Sequence, residues 1–207
     1  SIDNGLTWDS ISSTADNNPA GSFNVFDFAW NIVLDPSNLD EDEMYMATYG
    51  GILRSVDGGE SWLEELGGGN AYYNNVDITS DGVVYATLSS DGAGKGIWRS
   101  ADGMEWANII PDGFGNVYGR TAIGINPSNE NEVYFLTAET ENSGQFTNTF
   151  FGGETWTSFW KYTYLCGDGN DTCGNWVNLS ANIPANRPTT FDNFNACLLY
   201  TSDAADE

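Results

Sequence analysis

Histidine is absent from the 207-residue chain, and positive charge is scarce. Six Lys and Arg stand against 30 Asp and Glu, which gives a formal net charge of −24 at pH 7. Binding to nucleic acid phosphates needs a basic face, so this balance excludes nucleic acid as a partner. Anionic membrane surfaces are disfavoured for the same electrostatic reason. The lack of histidine, with only 3 cysteines, also argues against a zinc site.

The chain also lacks any apolar run long enough for membrane insertion, and it contains no recognisable signal peptide. It has no nucleophile elbow, phosphate-binding loop or dinucleotide fingerprint. No stretch combines sustained helical periodicity with helix caps. Short segments rich in Val, Ile, Tyr, Phe and Trp instead alternate with Gly, Asn and Asp turns, which is typical of strands. The predicted fold class is therefore all-β.

Two patterns recur along the chain. Strands centred on a tyrosine occur at Tyr45, Tyr85 and Tyr134, 40 and then 49 residues apart. This spacing lies within the range of about 40 to 50 residues for the four-stranded blades of a β-propeller. A turn motif reads Ser-x-Asp, then Gly, then Trp, and occurs as SIDNGLTW (1–8), SVDGGESW (55–62) and the shorter SADGMEW (100–106).

The repeats predict about three and a half antiparallel blades within one partial propeller domain, residues 1–196. The blades are expected at 1–13 (partial), 26–66, 73–110, 121–183 and 187–196 (the start of the next). In the long blade, TFFGGETW (149–156) resembles the motif, but Phe151 stands where Asp is expected. We interpret it as a coincidental or degenerate match inside an insertion, and place the true hairpin of this blade at LCGDGNDTCGNW (165–176).

The turn motif admits a structural explanation for each recurring residue. A Ser or Asp at a hairpin tip accepts hydrogen bonds from nearby backbone N–H groups, and Gly supplies positive φ. The Trp opens the next strand and packs its ring back across the hairpin. We therefore predict a scaffold role rather than a catalytic one for Ser1, Asp3, Gly5, Trp8, Ser55, Asp57, Gly59, Trp62, Ser100, Asp102, Gly103 and Trp106.

With Ser, Asp, Gly and Trp at these positions, the motif resembles the Asp-box, also called the bacterial neuraminidase repeat. Asp-boxes occur in the β-propellers of sialidases, xyloglucan-cleaving glycosidases, the sortilin/Vps10 ectodomain and a photosystem II assembly factor. The resemblance implies a structural hairpin on the outer part of each blade, away from the central funnel. It also implies a secreted or cell-surface bacterial protein, which the acidity of the chain suits. Because one propeller hosts many chemistries, the motif indicates fold better than function.

The last eleven residues, CLLYTSDAADE (197–207), break the repeat. They resemble the translation of a transposon-end adapter used in short-read library preparation. We therefore expect this segment to be non-native and exclude it from fold reasoning. The authentic sequence would then end near Ala196 and, since it also starts inside a turn motif, would be a metagenomic fragment.

Cys166 and Cys173 flank GDGNDT and suit a disulfide that closes a hairpin loop in an oxidising compartment. Two free thiols are the alternative. Asp168, Asn170 and Asp171 in this loop resemble Ca²⁺ ligands on a turn, but the rest of an EF-hand is missing. Turn formation is therefore favoured over Ca²⁺ binding, and no other cofactor is expected.

Two function classes remain open. A glycoside hydrolase needs two carboxylates about 5 to 10 Å apart, and the acidic residues at strand ends are Asp27, Asp77 and Glu139. A sialidase needs an arginine cluster for the substrate carboxylate. Arg54 and Arg99 occupy the same place in their blades, which indicates a structural role. Arg120 and Arg187 alone cannot form such a cluster, so a sialidase is disfavoured.

The other class is a non-enzymatic binding or adhesion propeller, which would use the funnel and the loops at the blade edges. Aromatic residues in or beside loops are candidates to stack on sugars, with burial in strands as the alternative. They are Tyr72, Tyr73, Phe114, Tyr118, Phe150, Phe151 and Trp160. We favour an extracellular propeller that binds a protein or glycan ligand, with glycoside hydrolysis as the alternative.

Overall fold

The computed structural model describes residues 4–9, 14, 28–67, 69–139, 145–148 and 154–183, with side chains described up to residue 138 and again from 157. Three antiparallel sheets and two short 3-10 turns, Asp171–Cys173 and Ser180–Asn182, account for the regular structure of these residues. None of these residues lies in a helix long and apolar enough to cross a bilayer.

The first two sheets share one design, in which each strand pairs with the next along the chain. The first sheet comprises β1 (Ala29–Leu34), β2 (Met44–Thr48), β3 (Ile52–Ser55) and β4 (Leu63–Leu66). The second comprises β5 (Asn74–Ile78), β6 (Val84–Leu88), β7 (Gly96–Ser100) and β8 (Trp106–Asn108). Their short strands and tight turns give the predicted all-β, four-stranded antiparallel units.

The third sheet adds a fifth strand to this design. It comprises β9 (Tyr118–Ile125), β10 (Glu132–Glu139), β11 (Gln145–Asn148), β12 (Glu154–Tyr164) and β13 (Gly174–Asn178). The long strand β12 pairs with β10 along one edge, and its other edge is shared, with β11 on the first half and β13 on the second. The extra strand therefore belongs to the insertion between β10 and β12.

The sheets pack face to face, and their first strands contact one another, β1 against β5 and β5 against β9. The middle sheet is covered on both sides, which explains why all five residues of β6 are buried. The core between the first and second sheets contains Tyr45, Ile52, Val76 and Leu88. The core between the second and third contains Tyr85, Ile97, Phe135 and Tyr162.

The antiparallel order separates the connections into two ends. The β3–β4 and β7–β8 hairpins, which carry the turn motif at 55–62 and 100–106, lie at one end, here called the box end. The β2–β3 turn at 49–51 and the connection 67–73 lie at the other, here called the loop end. Most of the predicted partial blade 1–13, the predicted strand start 187–196 and the tail 197–207 lie outside the described residues.

Candidate functional site

The complete turn motif at 55–62 satisfies its own carboxylate. Asp57 accepts hydrogen bonds from the Ser61 backbone N–H (2.8 Å) and hydroxyl (2.5 Å) and from the Ser55 hydroxyl (2.8 Å). Ser55 Oγ in turn accepts the backbone N–H of Gly59 at 2.9 Å. The bonds from Ser61, and then from Ser55, lower the pKa of Asp57 to about 2. This carboxylate stays ionised and engaged, so it is poorly suited to exchange protons with a substrate.

The shortened motif at 100–106 builds a similar turn with one residue fewer. Asp102 accepts the backbone N–H groups of Met104 and Glu105, both at 2.9 Å, and these bonds lower its pKa. Ser100 Oγ accepts the N–H of Gly103 at 2.8 Å. Gly103 has φ +73° and lies against the Tyr45 hydroxyl of the first sheet, where a Cβ would overlap. The turn therefore also supports the contact between two sheets.

The tryptophans of the motifs fold back onto their hairpins. Trp62 Nε1 donates to the Gly59 carbonyl at 3.0 Å, and Trp8 Nε1 donates to the Gly5 carbonyl at 3.1 Å. In the shortened motif, Trp106 Nε1 is buried and has no hydrogen-bond partner among the described residues. Ser1 and Asp3 of the first motif lie outside the described residues, as do the side chains at 149–156.

In the third sheet, a disulfide hairpin takes the place of the turn motif. Cys166 and Cys173 are disulfide-bonded, with a Cα–Cα distance of 4.7 Å, in the connection between β12 and β13. Within the loop, Asp168 accepts the Asn170 N–H at 3.3 Å, and Asp171 has φ +45°. Among the described side chains, no group of three or more His, Cys, Asp or Glu residues is placed to hold a metal ion.

The arginines of the first two sheets are engaged separately. Arg54 Nε lies 2.6 Å from Glu43 Oε1 in the first sheet. Arg99 is buried and places its guanidinium 4.0 Å from the centre of the Tyr164 ring in the third sheet. Arg120 lies on β9, and Arg187 is outside the described residues. The two arginines at matching positions are therefore bound to different neighbours and do not form a joint anion site.

Of the three candidate acid–base carboxylates, the structure describes the side chain of Asp77. Asp77 lies on β5, one residue from the box end of the strand, and accepts the Ile78 N–H at 2.9 Å. Burial raises its pKa, but no second carboxylate is among the causes of that shift. Asp27 and the side chain of Glu139 lie outside the described part of the chain.

The loop end carries a continuous aromatic cluster that the sequence reasoning found only in part. Tyr72 and Tyr73 were candidates, with ring centroids 4.7 Å apart, but Phe28, Trp30 and Tyr49 were missed. Tyr72 contacts the rings of all three, at centroid distances of 5.6, 5.7 and 5.7 Å. All five side chains are half-buried, so part of each ring faces solvent. We call these five residues the aromatic cluster.

Two hydrogen bonds hold Tyr72 in the aromatic cluster. Trp30 Nε1 donates to the Tyr72 carbonyl at 2.7 Å, which ties the first sheet to the connection before β5. The Tyr72 N–H lies 3.2 Å from a carboxylate oxygen of Asp91, an exposed residue of the β6–β7 turn. Every member lies within two residues of a strand end in the structure, but only folding brings Tyr72 to Trp30, 42 positions away.

The other aromatic candidates behave differently. Phe114, Tyr118 and Trp160 are buried between the second and third sheets, so the strand-burial alternative applies to them. Phe150 and Phe151 lie outside the described residues. The aromatic surface that the structure presents to solvent at this end is therefore the cluster around Tyr72.

No protein-family model matches the chain, and no curated protein matches it. Among solved structures, it resembles the GH74 enzyme of Niastella koreensis, with 21% identity, a TM-score of 0.49 and coverage of 73% of this chain and 22% of that one. It also resembles the GH74 xyloglucanase of Xanthomonas campestris, with 18% identity, a TM-score of 0.50 and coverage of 73% and 21%.

The chain thus spans about a fifth of the length of the solved structures that it resembles, 21% in the Xanthomonas case. The likeness to that structure, together with the order of strands in the three sheets, identifies the fold as a partial β-propeller of four-stranded antiparallel blades. The prediction of this fold class is confirmed. The three sheets described above are accordingly called the first, second and third blades.

Proposed function

We propose that this chain is part of an extracellular carbohydrate-binding β-propeller, and that the aromatic cluster is its sugar-binding surface. The observation that carries the proposal is the position of five half-buried rings at one end of two adjacent blades. Aromatic rings combine large contact area with low conformational entropy cost, and ligand sites of propellers lie at such strand ends.

The charge around the aromatic cluster favours a neutral glycan over an anionic one. Asp91 contacts the Tyr72 backbone, and the chain as a whole carries 30 acidic against 6 basic residues. A uronate or sialylated chain would meet like charge at this surface. This supports a neutral polysaccharide as the ligand class, and the xyloglucanase activity named for the Xanthomonas structure makes xyloglucan the first polymer to test.

Glycoside hydrolysis is the second candidate, favoured by the resemblance to the GH74 enzymes. Asp77 is badly placed for it, because four residues along β5 separate it from Tyr73, roughly 13 Å at the usual strand rise. A carboxylate pair must span about 5 to 10 Å across the scissile bond. Among the described residues, Asp91 contacts the aromatic cluster through the Tyr72 N–H and would be the first carboxylate to substitute in a hydrolysis assay.

The test is isothermal titration of the full chain with xyloglucan oligosaccharides. Trp30→Ala and Tyr72→Ala should each weaken binding by about tenfold, the scale of losing one aromatic anchor. Tyr134→Ala is the matched control, since Tyr134 stacks on Phe159 at 5.8 Å, away from the aromatic cluster, and should leave affinity unchanged. Binding that survives both cluster substitutions would overturn the proposed site.

A reducing-end assay with xyloglucan separates the two candidates. Release of reducing ends that is lost in Asp91→Asn would favour hydrolysis with Asp91 in the catalytic machinery. Binding without any release supports the carbohydrate-binding function. Failure of the chain to bind neutral glycans at all would contradict both and leave a protein ligand as the remaining member of the binding class.

A further inference from the structure

The interface between the second and third blades contains buried polar side chains that have no hydrogen-bond partner among the residues that the structure describes. They are Tyr118 Oη, Thr121 Oγ1, Thr137 Oγ1 and Trp160 Nε1. The exposed fraction of these residues is 3%, 1%, 0% and 5%, respectively. Nearly all buried polar groups in folded proteins find a partner, either in the protein or in an ordered water molecule. Several unpartnered groups in one interface therefore need a common explanation.

Three of these groups share one small area of the third blade. Thr121 on β9 and Thr137 on β10 are directly opposite in the strand register. Trp160 on β12 is opposite Phe135, two positions along β10 from Thr137. Since side chains alternate between the faces of a sheet, all three point to the face that packs on the second blade.

The Tyr118 hydroxyl lies at the same end of this interface. The ring of Phe114 contacts both the Tyr118 ring, at a centroid distance of 5.1 Å, and the Trp160 ring, at 5.9 Å. Phe114 thus packs against both of the aromatic residues in this set of unpartnered polar groups.

One direct hydrogen bond crosses this interface from a threonine hydroxyl of the second blade. Thr87 Oγ1, on the facing second blade, donates to the Thr121 carbonyl at 2.9 Å. Within the described ranges the Thr121 and Thr137 hydroxyls have no such acceptor, and an indole N–H can only donate. A ligand for this set must accept from Trp160 and both donate to and accept from hydroxyls, which is the hydrogen-bonding capacity of water.

We propose that Thr121, Thr137 and Trp160, with Tyr118 beside them, form an internal water-binding site between the second and third blades. The number of groups suits about one or two water molecules at the usual three bonds each. Such water would link β9 to β10 and β12. It would give these four groups hydrogen-bond partners without any side chain from the second blade.

The direct test is nuclear magnetic resonance on the full chain labelled with ¹⁵N at tryptophan. The Trp160 indole N–H, assigned by its loss in Trp160→Phe, should show a cross-relaxation peak at the water frequency with the sign of long-lived bound water. Trp98 is the internal control, because its indole N–H donates to the Gly94 carbonyl at 3.0 Å. Absence of the water peak at Trp160 would overturn the proposal.

Thr137→Val tests the same site through stability, since valine keeps the shape and removes the hydroxyl. In a hydrated site the variant should lower the unfolding midpoint by about 2 to 4 °C and weaken the Trp160 water peak. Thr137→Ser, which keeps the hydroxyl, should retain the peak. A midpoint that stays the same or rises in Thr137→Val would mean a dry interface and count against the site. If the valine variant does not fold, the peak in the unsubstituted chain decides alone.

Discussion

Arg54 and Arg99 hold the same place in neighbouring blades, yet their guanidinium groups have different partners. In the strand register Arg54 is opposite Tyr45, and Arg99 is opposite Tyr85. Arg54 pairs with Glu43 inside its own blade at 2.6 Å. Arg99 instead reaches the third blade, where it lies over the ring of Tyr164 at 4.0 Å.

The difference follows from the residue two positions before the repeated tyrosine. Glu43 holds that position in the first blade, whereas Val83 holds it in the second. The third blade repeats the first solution, with Lys161 opposite Tyr134 and 2.6 Å from Glu132. A carboxylate at this position thus keeps the cation within its blade, and an apolar residue leaves it free to join two blades.

Removing Arg54 should produce the largest loss of stability. Arg54→Met leaves Glu43 without its cation although the exposed fraction of the Glu43 side chain is only 7%. We expect the free energy of unfolding to fall by about 2 to 3 kcal/mol, because a half-paired buried charge is worse than none. Urea unfolding of the full chain measures this. The double variant Glu43→Gln with Arg54→Met should recover part of the loss; no recovery would mean that packing of the arginine stem dominates.

The disulfide hairpin that receives Arg99 is the next most sensitive element. Its loop accepts hydrogen bonds from Arg99 at the Asp168 carbonyl (3.4 Å) and from Tyr162 at the Gly169 carbonyl (2.6 Å). Substituting both Cys166 and Cys173 by Ser should cost about 2 kcal/mol, the entropy of closing so short a loop. Equal urea midpoints for the serine variant and the unsubstituted chain would show that the hairpin is held by these bonds alone.

Arg99→Met should cost less than Arg54→Met, which makes the pair a matched test of the comparison. The substitution removes a cation from an aromatic ring and leaves no carboxylate unpaired, so the expected loss is about 1 kcal/mol. The buried Nε of Arg99 has no hydrogen-bond partner in the described part of the chain, which further limits what the arginine contributes. If urea unfolding showed equal losses in free energy of unfolding for the two variants, the partner of the arginine would not distinguish the two blades.

The fold class could be predicted because each blade repeats local information. Short strands and the Gly-containing turns between them are local patterns, and they recur with the spacing of Tyr45, Tyr85 and Tyr134. The structure confirms the four-stranded units that this repeat predicts. The added strand β11 was not predicted as a strand, because Gln145–Asn148 is short and is paired only through the unusually long β12. Tertiary pairing decides such a segment.

The candidate site was less accessible to sequence reasoning. Tyr72 and Tyr73 stood out as adjacent aromatic residues before a strand, but their contact with Phe28 and Trp30 depends on how two blades pack. Conversely, Trp160 resembles a loop aromatic in the sequence and is buried in the structure. Exposure of a ring is a property of the packed sheets, so a pattern within one strand cannot determine it.

The smallest expected effect is a pH dependence confined to the first blade. Burial alone would raise the pKa of Glu43, but hydrogen bonds from Arg54, Asn38 and Tyr45 outweigh burial and lower it from the ordinary value of 4.5. The stability that ionised Glu43 contributes is therefore complete above the unfolded-state pKa and is lost as pH falls through the lower folded-state pKa. The difference in free energy of unfolding between the unsubstituted chain and Glu43→Gln should shrink between about pH 5 and pH 3.

Val83→Gln, at the matching position in the second blade, adds no titrating group, so its difference from the unsubstituted chain should stay constant over that range. A constant difference for Glu43→Gln as well would mean that Glu43 titrates alike in both states, and the carboxylate would then not be what distinguishes the two arginines.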